Sequence, residues 1–392
     1  MLPLHGTASF LRGFHRTDLP VVLRLRDFQS RASDDSDVAL IQDPNKLEDA
    51  IAGGFPGVII VGDINIDELP RSNALPNVMV LPSRFGYLSD GDIIGLRGKD
   101  GQFRTLFRRK SVHNSFLITE RCNHYCLMCS QPPRDVNDGW ISDEIKAALP
   151  LIDRETESLG FTGGEPLLDW KSFIALLADC RACLPNTAIH VLSNGRAFAD
   201  SAVVAAWAAV RHPNLTVGIP IYAVVDHVHD YVVQARGAFD ETVLGILKLK
   251  DKGQRVEVRV VLHAITAPRI VETCTWLARN LSFVDHVALM GLENTGFAIA
   301  NDALLWIDPI GYRKPLADAV DILVAAKMKV SVYNLQRCVL ERSVWPLAAR
   351  SISDWKNDFL KECDPCIEKT RCSGFFSSGR PRYSRAIRAI LN

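Results

Sequence analysis

Short apolar runs alternate with amphipathic stretches along the middle of the chain, from about residue 115 to about residue 330. Six of the apolar runs have the length and composition of strands, and the segments between them, for example 170–183 and 239–252, have the periodicity of helices. The predicted strands are 115–119, 159–162, 189–192, 215–221, 256–262 and 284–289. Repeated units of this kind predict an α/β fold built on a parallel, partial (β/α)6 barrel. In such barrels the loops at the carboxyl ends of the strands carry the active site.

The segments on either side of this region have different patterns. The N-terminal segment contains short β-rich runs such as 57–62, and 91–107 has the pattern of a hairpin that turns at Lys99-Asp-Gly101. The C-terminal segment loses the periodicity and is rich in Cys, Trp, Ser and Arg. We therefore predict three parts: an N-terminal β-rich domain at 1–110, the barrel at 111–330, and a cysteine-rich extension at 331–392.

Composition narrows the classes of protein that this chain can be. Its 392 residues carry 45 lysines and arginines against 45 aspartates and glutamates, so we expect neither nucleic acid nor an acidic membrane surface as a partner. The apolar runs are too short to span a bilayer, which predicts a cytoplasmic protein. Disulfides are rare in that compartment, so metal or cluster binding is the expected use of closely spaced cysteines, of which the chain has several among its 10.

Three cysteines, Cys122, Cys126 and Cys129, directly follow the first predicted strand. Three thiolates can each ligate one iron of a cubane cluster and leave the fourth iron open to a substrate or cofactor. A structural zinc site needs four protein ligands, and His124 or His113 could supply the fourth. The position at the end of a barrel strand favours the cluster over zinc.

The spacing Cys-x3-Cys-x2-Cys after a first barrel strand resembles the signature of the radical S-adenosylmethionine (SAM) superfamily. The resemblance implies a catalytic [4Fe–4S] cluster on Cys122, Cys126 and Cys129, whose open iron binds the amino and carboxylate groups of SAM. Reduction of the cluster then cleaves SAM to a 5′-deoxyadenosyl radical, which takes a hydrogen atom from the substrate. Met128 stands where the superfamily often has an aromatic residue near the adenine, and a thioether is soft enough to fill that place.

Two further strand ends carry groups that suit SAM. Gly163, Gly164 and Glu165 end the second predicted strand, where glycines let the backbone approach a ligand and a carboxylate suits an ammonium group. Ser193 and Asn194 end the third strand with a hydroxyl and an amide. As isolated features both would be ordinary turns. The resemblance implies that the first three residues hold the methionyl ammonium and that the other two contact the ribose or methionine of SAM.

Peptide-modifying members of the superfamily carry an arginine for the SAM carboxylate after the fourth strand, where this chain has Val233. Arg236, or Arg259 on the fifth predicted strand, could replace it, although a solvated arginine is the commoner fate. Glu293 ends the sixth strand and is expected to meet substrate or a SAM hydroxyl, or else to stabilise its loop. Three other cysteines are interpreted as lying outside the site: Cys180, Cys183 and Cys274.

A second group of cysteines lies in the C-terminal extension. It consists of Cys363, Cys366 and Cys372, together with Cys338 upstream, and four thiolates can close the coordination of one site. The spacing resembles the C-terminal extensions of peptide-modifying radical SAM enzymes, which implies one auxiliary [4Fe–4S] cluster. A zinc ion would be satisfied by the same four residues, so both cofactors are open at this point.

Several stretches together resemble one family within the superfamily, the His-Xaa-Ser system radical SAM maturases of the C type. They are 108–111, 114–133, 237–242, 290–293, Tyr333-Asn334 with Cys338, and 351–357. The resemblance implies a bacterial enzyme that modifies a ribosomally made precursor peptide. It also implies an electron donor such as flavodoxin or ferredoxin and a second radical SAM maturase as partners. The N-terminal domain is our candidate for binding the peptide by strand addition.

Two other functions fit the same residues. A radical SAM enzyme could instead activate a whole protein or modify RNA, although the even charge balance disfavours RNA. In a different class of protein, both cysteine groups would bind zinc and support a non-catalytic interaction module.

Overall fold

The computed structural model describes residues 3–12, 21–65, 77–97, 101–350, 357–377 and 382–391. Two features expected from the sequence, most of the turn at Lys99-Asp-Gly101 and most of the stretch 351–357, fall outside these residues. The described chain contains an N-terminal mixed sheet, a parallel barrel-like sheet and a short C-terminal pair of strands.

Eight strands form the N-terminal sheet. They are β1 His5–Thr7, β2 Ser9–Arg12, β3 Val21–Asp27, β4 Asp37–Ile41, β5 Gly57–Val61, β6 Asn77–Leu81, β7 Ile93–Arg97 and β8 Gln102–Phe107, with helix α1 Leu47–Ala52 after β4. Their order is β1-β8-β7-β3-β4-β5-β6-β2, and β3 to β6 are parallel. The antiparallel pairing of β7 with β8 confirms the predicted hairpin. β5 is continuously apolar because Ile59 packs on one face of the sheet, and Val58 and Ile60 pack on the other.

Seven parallel strands form the barrel-like sheet, which confirms the predicted fold class with one strand more than expected. They are β9 Ser115–Leu117, β10 Ser158–Thr162, β11 Ala188–Leu192, β12 Leu215–Pro220, β13 Arg255–Leu262, β14 His286–Gly291 and β15 Val330–Tyr333, which lie side by side in chain order. The additional strand, β15, pairs with β14, so the sheet extends past residue 330, where the predicted barrel ends. A run of four residues carries too weak a periodic signal to be assigned to a sheet from sequence.

The helices of this region cover the outer face of the sheet or pack around Met128 at its carboxyl edge. They are α2 Trp140–Ala148, α3 Trp170–Cys183, α4 Ser201–Ala209, α5 Asp226–Val233, α6 Ala238–Asp251, α7 Ile270–Asn280, α8 Phe297–Ala300, α9 Asp302–Leu305 and α10 Arg313–Ala325. Because side chains alternate along a strand, Val256, Val258 and Val260 of β13 pack in the core under the helices. The residues between them, Glu257 and Arg259, therefore face the interior of the barrel.

The N-terminal sheet packs on the barrel through α2. Ile93 of the sheet and Ile145 of α2 belong to the same apolar core, so this sheet is not independent of the barrel. Glu144 of α2 is buried and forms an ion pair with Arg104 of β8. Gly95 of β7 makes room for that carboxylate, since an added Cβ would lie 2.0 Å from Glu144 Oε1.

The C-terminal extension contains one short antiparallel pair, β16 Asn357–Asp358 with β17 Phe375–Phe376. The rest of its described part consists of turns and 3₁₀ segments. Among the helices that the structure describes, none combines the length and the apolar character needed to traverse a lipid bilayer.

Candidate active site

A cavity of about 310 Å³ lies at the carboxyl ends of the barrel strands. Cys122, Cys126 and Cys129, from the loop after β9, all line it. The loops after β10, β11, β12 and β14 supply most of the remaining wall. Residues that are far apart along the chain thus meet in one place, because the strands are parallel and their carboxyl ends share one edge of the sheet.

Backbone hydrogen bonds hold the cysteine loop between two helices. The Leu127 N–H donates to Val232 O at the end of α5, at 2.9 Å. The Phe297 N–H, at the start of α8, donates to Cys129 O at 2.8 Å. These two contacts position the loop through its backbone. The thiols make only local hydrogen bonds, from Cys129 Sγ to Gln131 O at 3.0 Å and from His124 N to Cys122 Sγ at 3.4 Å.

Burial raises the pKa of all three thiols. The pKa of Cys122 is raised to about 11, and those of Cys126 and Cys129 are also raised. Each thiolate also disfavours ionisation of its neighbours, so unliganded thiols are protonated here. A bound metal reverses this preference, because it removes the thiol proton and neutralises the charge. The described residues contain no three His, Cys, Asp or Glu side chains close enough together for a single metal ion. A cubane does not require that, since each thiolate binds a different iron.

His124 lies between two of the cysteines, lines the cavity and is 2% exposed. Neither of its ring nitrogens has a hydrogen-bond partner within the described part of the chain. Burial, together with the nearby charge of Arg196, lowers the pKa of His124 to about 3, so the imidazole is neutral. Buried polar atoms normally have partners, and these nitrogens therefore fit a cavity that receives a polar ligand. His113, the other candidate ligand for zinc, is exposed and outside the cavity wall.

Gly163 and Gly164 line the cavity where the loop after β10 crosses the cysteine loop. Gly163 has φ +133°, and a Cβ there would lie 2.5 Å from Thr119 O. A Cβ on Gly164 would lie 1.9 Å from Arg121 O. Both positions require glycine because the two backbones touch, and this contact forms part of the cavity wall.

Glu165 is 1% exposed and lies behind the wall that Ser193 and Asn194 form. Its Oε1 accepts hydrogen bonds from Leu167 N at 3.0 Å and from Ser193 Oγ at 2.9 Å. Its Oε2 accepts one from Asn194 N at 2.6 Å. Burial raises its pKa, although these donors oppose the shift. The carboxylate thus ties the loop after β11 to the loop after β10, which is a different place from the ammonium contact expected from the sequence.

Ser193 and Asn194 both line the cavity. Besides its contact with Glu165, the hydroxyl of Ser193 accepts a hydrogen bond from Gly195 N at 3.1 Å. Asn194 Nδ2 donates to Asn123 Oδ1 in the cysteine loop at 2.6 Å. These contacts link the loop after β11 to the cysteine loop, and they fix the orientation of the two side chains that a ligand would contact.

The structure brings Arg259 and Glu293 to the cavity and leaves Arg236 out of it. Arg236 is exposed in the turn between α5 and α6. Arg259 projects from β13 into the cavity floor, and Glu293 lies in the wall after β14. Val233, at the position of the expected arginine, is fully buried, and its carbonyl accepts from Tyr125 N at 3.1 Å.

Sequence reasoning missed several side chains in the cavity wall, among them Tyr222, Asn334 and Phe376. Tyr222 follows β12, stacks on His229 with 5.7 Å between ring centroids, and has its pKa raised well above the usual value by burial and by nearby Cys126. An aromatic residue just beyond a strand end is the signal that could have found it, because that position faces the site.

The four C-terminal cysteines line a second, smaller cavity. These are Cys338, Cys363, Cys366 and Cys372. The Ile390 N–H donates to Cys366 Sγ at 3.4 Å, a contact that suits a metal-bound thiolate. Beneath the cavity, Arg337 forms a buried ion pair with Glu368 at 2.7 Å, which joins the loop after β15 to the extension.

Two aromatic residues separate the two cavities. Phe375 lines the second cavity and Phe376 lines the first. Successive side chains of a strand point to opposite sides, so β17 acts as a thin partition. The loop after β15 does the same, since Asn334 lines the first cavity and Gln336 the second.

A family model described as the Radical SAM superfamily matches residues 116–277. The barrel of this chain has the radical SAM fold. The family implies a SAM-dependent enzyme with a [4Fe–4S] cluster. The matched residues contain the three cysteines of the first cavity and the strand ends after β9 to β13.

Several known proteins are similar to this chain. A GTP 3′,8-cyclase of Campylobacter jejuni is 27% identical over 169 residues, which cover 41% of this chain and 48% of that protein. The chain thus spans about half the length of the curated relatives it matches. Among solved structures, anSMEcpe with bound AdoMet and a Cp18Cys peptide has a TM-score of 0.47 and 14% identity, covering 70% of this chain and 92% of that one. Streptococcus suis SuiB bound to the precursor peptide SuiA has a TM-score of 0.43 and 12% identity, with coverages of 56% and 48%.

Replacing Gly164 by Ala should damage the radical SAM site. The added methyl group meets Arg121 O, so one backbone must move, at a cost of about 1–3 kcal/mol. We expect a lower thermal midpoint and a lower iron content after anaerobic reconstitution, measured by calorimetry and metal analysis. Gly139→Ala is the matched control, because no atom lies within 4 Å of its added Cβ. Equal iron content in the two variants would contradict the close backbone contact.

Proposed function

We propose that this chain cleaves SAM reductively at a cluster held by Cys122, Cys126 and Cys129 and abstracts hydrogen from a ribosomally made precursor peptide. The observation that supports the first part is the convergence of the three thiols with the Gly163-Gly164 wall in one cavity. When bound, the two cofactors supply a carbon-centred radical by reductive cleavage of SAM. The protein's part is to position the ligands and to exclude water from them.

The residues around the thiols suit the parts of SAM. The glycine wall allows a ligand to approach the backbone, and Ser193 and Asn194 present polar groups whose orientation is fixed by neighbours. Tyr222 and Met128 give the cavity an apolar side, which suits an adenine ring. In this proposal Glu165 acts indirectly, by holding the loop that carries Ser193.

We further propose that Cys338, Cys363, Cys366 and Cys372 hold one auxiliary [4Fe–4S] cluster. The proposal is supported by the position of the second cavity. Only β17, with Phe375 on one side and Phe376 on the other, separates it from the first cavity at that place. A redox centre in that place would lie beside a substrate in the first cavity. It could then accept the electron that remains when a substrate radical is converted into a closed-shell product.

Two observations support a peptide as the substrate. One is the resemblance to the His-Xaa-Ser maturases, and the other is that β1 is an end strand of the N-terminal sheet. β1 is an outermost strand of the N-terminal sheet and pairs only with β8 within the described strand order. An extended peptide can add to such an edge through main-chain hydrogen bonds. A flavodoxin or ferredoxin as electron donor and a second maturase as partner remain predictions.

Replacing Cys126 by Ser should abolish reductive formation of 5′-deoxyadenosine, because one ligand of the proposed cluster is lost. The measurement is anaerobic incubation of reconstituted, dithionite-reduced protein with SAM, followed by chromatography of the nucleosides. Cys183→Ser is the control, since Cys183 lies in α3 and outside both cavities. Undiminished 5′-deoxyadenosine from the Cys126 variant would overturn the proposed cluster site.

Replacing both Cys363 and Cys372 by Ala should remove only the auxiliary cluster. Two cubanes hold about eight irons and one holds about four. We expect metal analysis to fall from about eight to about four irons per chain, with slow, substrate-independent SAM cleavage retained. If the unaltered protein instead holds one zinc and about four irons, the C-terminal site is structural. Zinc alone, without iron, would favour the non-catalytic interaction module.

Replacing Thr7 by Pro should weaken peptide binding at the β1 edge. The Ala8 N–H donates to Gly101 of the neighbouring segment at 2.8 Å, so by antiparallel alternation the Thr7 N–H points away from β8. Proline removes that donor and leaves the sheet's own bonds intact. Loss of one hydrogen bond predicts a Kd raised roughly two- to tenfold for the genomically adjacent precursor peptide, measured by fluorescence anisotropy. Thr7→Ala keeps the N–H and should bind normally. Equal affinities would place the peptide elsewhere.

A further inference from the structure

A chain of polar side chains crosses the barrel interior beneath the cavity. Glu257 Oε2 lies 2.7 Å from His286 Nδ1, and His286 Nε2 lies 2.9 Å from Ser331 Oγ. On its other side, Glu257 Oε1 accepts a hydrogen bond from Arg259 Nη1 at 2.8 Å. The chain therefore runs from β15 through β14 to β13 and ends at an arginine in the cavity floor.

Glu257 is ionised despite being 8% exposed. Burial alone would raise its pKa, but hydrogen bonds from the imidazoles and the charge of Arg259 outweigh it, and the pKa lies well below the usual range. His190 contributes from β11, with Nε2 at 3.4 Å from Oε1 and without full hydrogen-bond geometry. A buried carboxylate with this many partners is stable only as a member of the whole network.

The charge of Glu257 defines the proton positions in the chain. An ionised carboxylate only accepts hydrogen bonds, so the proton on His286 Nδ1 points at Glu257. The other ring nitrogen, Nε2, faces the Ser331 hydroxyl, which can donate or accept a hydrogen bond. Each group thus orients the next. The rotamer of Glu257 is fixed by His286 on one side and by Arg259 on the other.

Arg259 is the only lysine or arginine among the described residues of the cavity wall. Its Nη2 group contacts Met290 Sδ at 3.0 Å, and a thioether is a weak acceptor. Gly218 leaves space for its stem, because a Cβ there would lie 3.0 Å from Arg259 Cδ. The guanidinium therefore keeps N–H donors that a stronger acceptor in the cavity can take.

We infer that Glu257, His286 and Ser331 form a positioning network for Arg259, the residue that the resemblance already makes a candidate contact for a ligand carboxylate. A guanidinium fork matches a carboxylate in geometry and charge, and no other cation in the described wall competes for it. The inference deepens the proposed function and rests on the first cavity as the ligand site. The carboxylate can belong to the methionyl group of SAM or to the substrate.

Fixing the arginine in advance matters because its side chain is long and flexible. Without Glu257, the guanidinium would sample several positions, and a ligand would have to order it upon binding. Side chains that orient a ligand-binding group in this way typically change affinity by about tenfold or more when they are removed. Glu257, His286 and Ser331 would thus influence binding without touching the ligand.

The test compares SAM with decarboxylated SAM, which lacks the methionyl carboxylate. Both are titrated anaerobically into the reconstituted holoenzyme by calorimetry, for the unaltered protein and for Arg259→Gln, Glu257→Gln and Ser331→Ala. Glu272→Gln is the matched control, because Glu272 is exposed on α7 and pairs only with Arg269 in the described contacts. Iron content and thermal midpoint are recorded for each variant.

If SAM supplies the carboxylate, Arg259→Gln and Glu257→Gln should weaken SAM about tenfold and leave decarboxylated SAM unchanged, with a smaller effect of Ser331→Ala. The ratio of the two affinities is the decisive readout, since a merely structural defect would weaken both ligands together. If the substrate supplies the carboxylate, SAM binding stays constant and the KM for the precursor peptide rises in the same variants.

Two results would overturn the inference. One is an unchanged affinity ratio together with an unchanged KM in Arg259→Gln. The other is a loss in Arg259→Gln that Glu257→Gln does not share, which would leave Arg259 without a positioning network. Failure of the proposed function is a separate result, because the unaltered holoenzyme would then bind SAM without modifying the peptide.

Discussion

The site depends on the close approach of two backbone segments, the loops after β9 and β10. Side chains are absent where they cross, because an added Cβ at Gly163 or Gly164 would overlap a carbonyl oxygen of the other loop. This contact sets the position of the cysteine loop relative to the barrel. Glu165, which follows the two glycines, then fixes the position of the loop after β11 by accepting hydrogen bonds from Ser193 and Asn194. Three of the strand ends around the cavity are in this way a single rigid unit.

Both cysteine groups follow the same design, in which the backbone is held independently of the thiols. Helices α5 and α8 hold the first loop, and the Arg337–Glu368 ion pair with the turns around it holds the second. Burial raises the pKa of the three thiols of the first group and of Cys338 and Cys363 in the second, so without a metal these thiols are neutral and weakly reactive. Binding of the proposed clusters would therefore use positions that already exist and would add its free energy to the stability of the loops.

Local periodicity was enough to predict most of the barrel from the sequence, since its strands are continuous apolar runs separated by amphipathic helices. It also indicates a strand at 330–334 but leaves that strand outside the barrel, because a run of about four residues is too short to show which sheet it joins. Motif spacing located the first three cysteines, and the structure places them in one cavity. It could not separate Arg236 from Arg259, because the choice depends on which side chain points into the barrel. The burial of Glu165 is likewise a product of tertiary packing that no local pattern reveals.

The strand that the predicted barrel left out, β15, is also the one that joins the two cavities. Because β15 belongs to the barrel, its carboxyl end lies at the same edge of the sheet as the first cysteine loop. Asn334 follows that end and lines the first cavity, and Cys338 lies four residues further on in the second. Had residues 330–334 been part of a separate extension, nothing would require the two cysteine groups to be close. The pairing of β15 with β14 thus fixes the distance between the two cysteine sites. It also brings Ser331 into the polar network beneath Arg259.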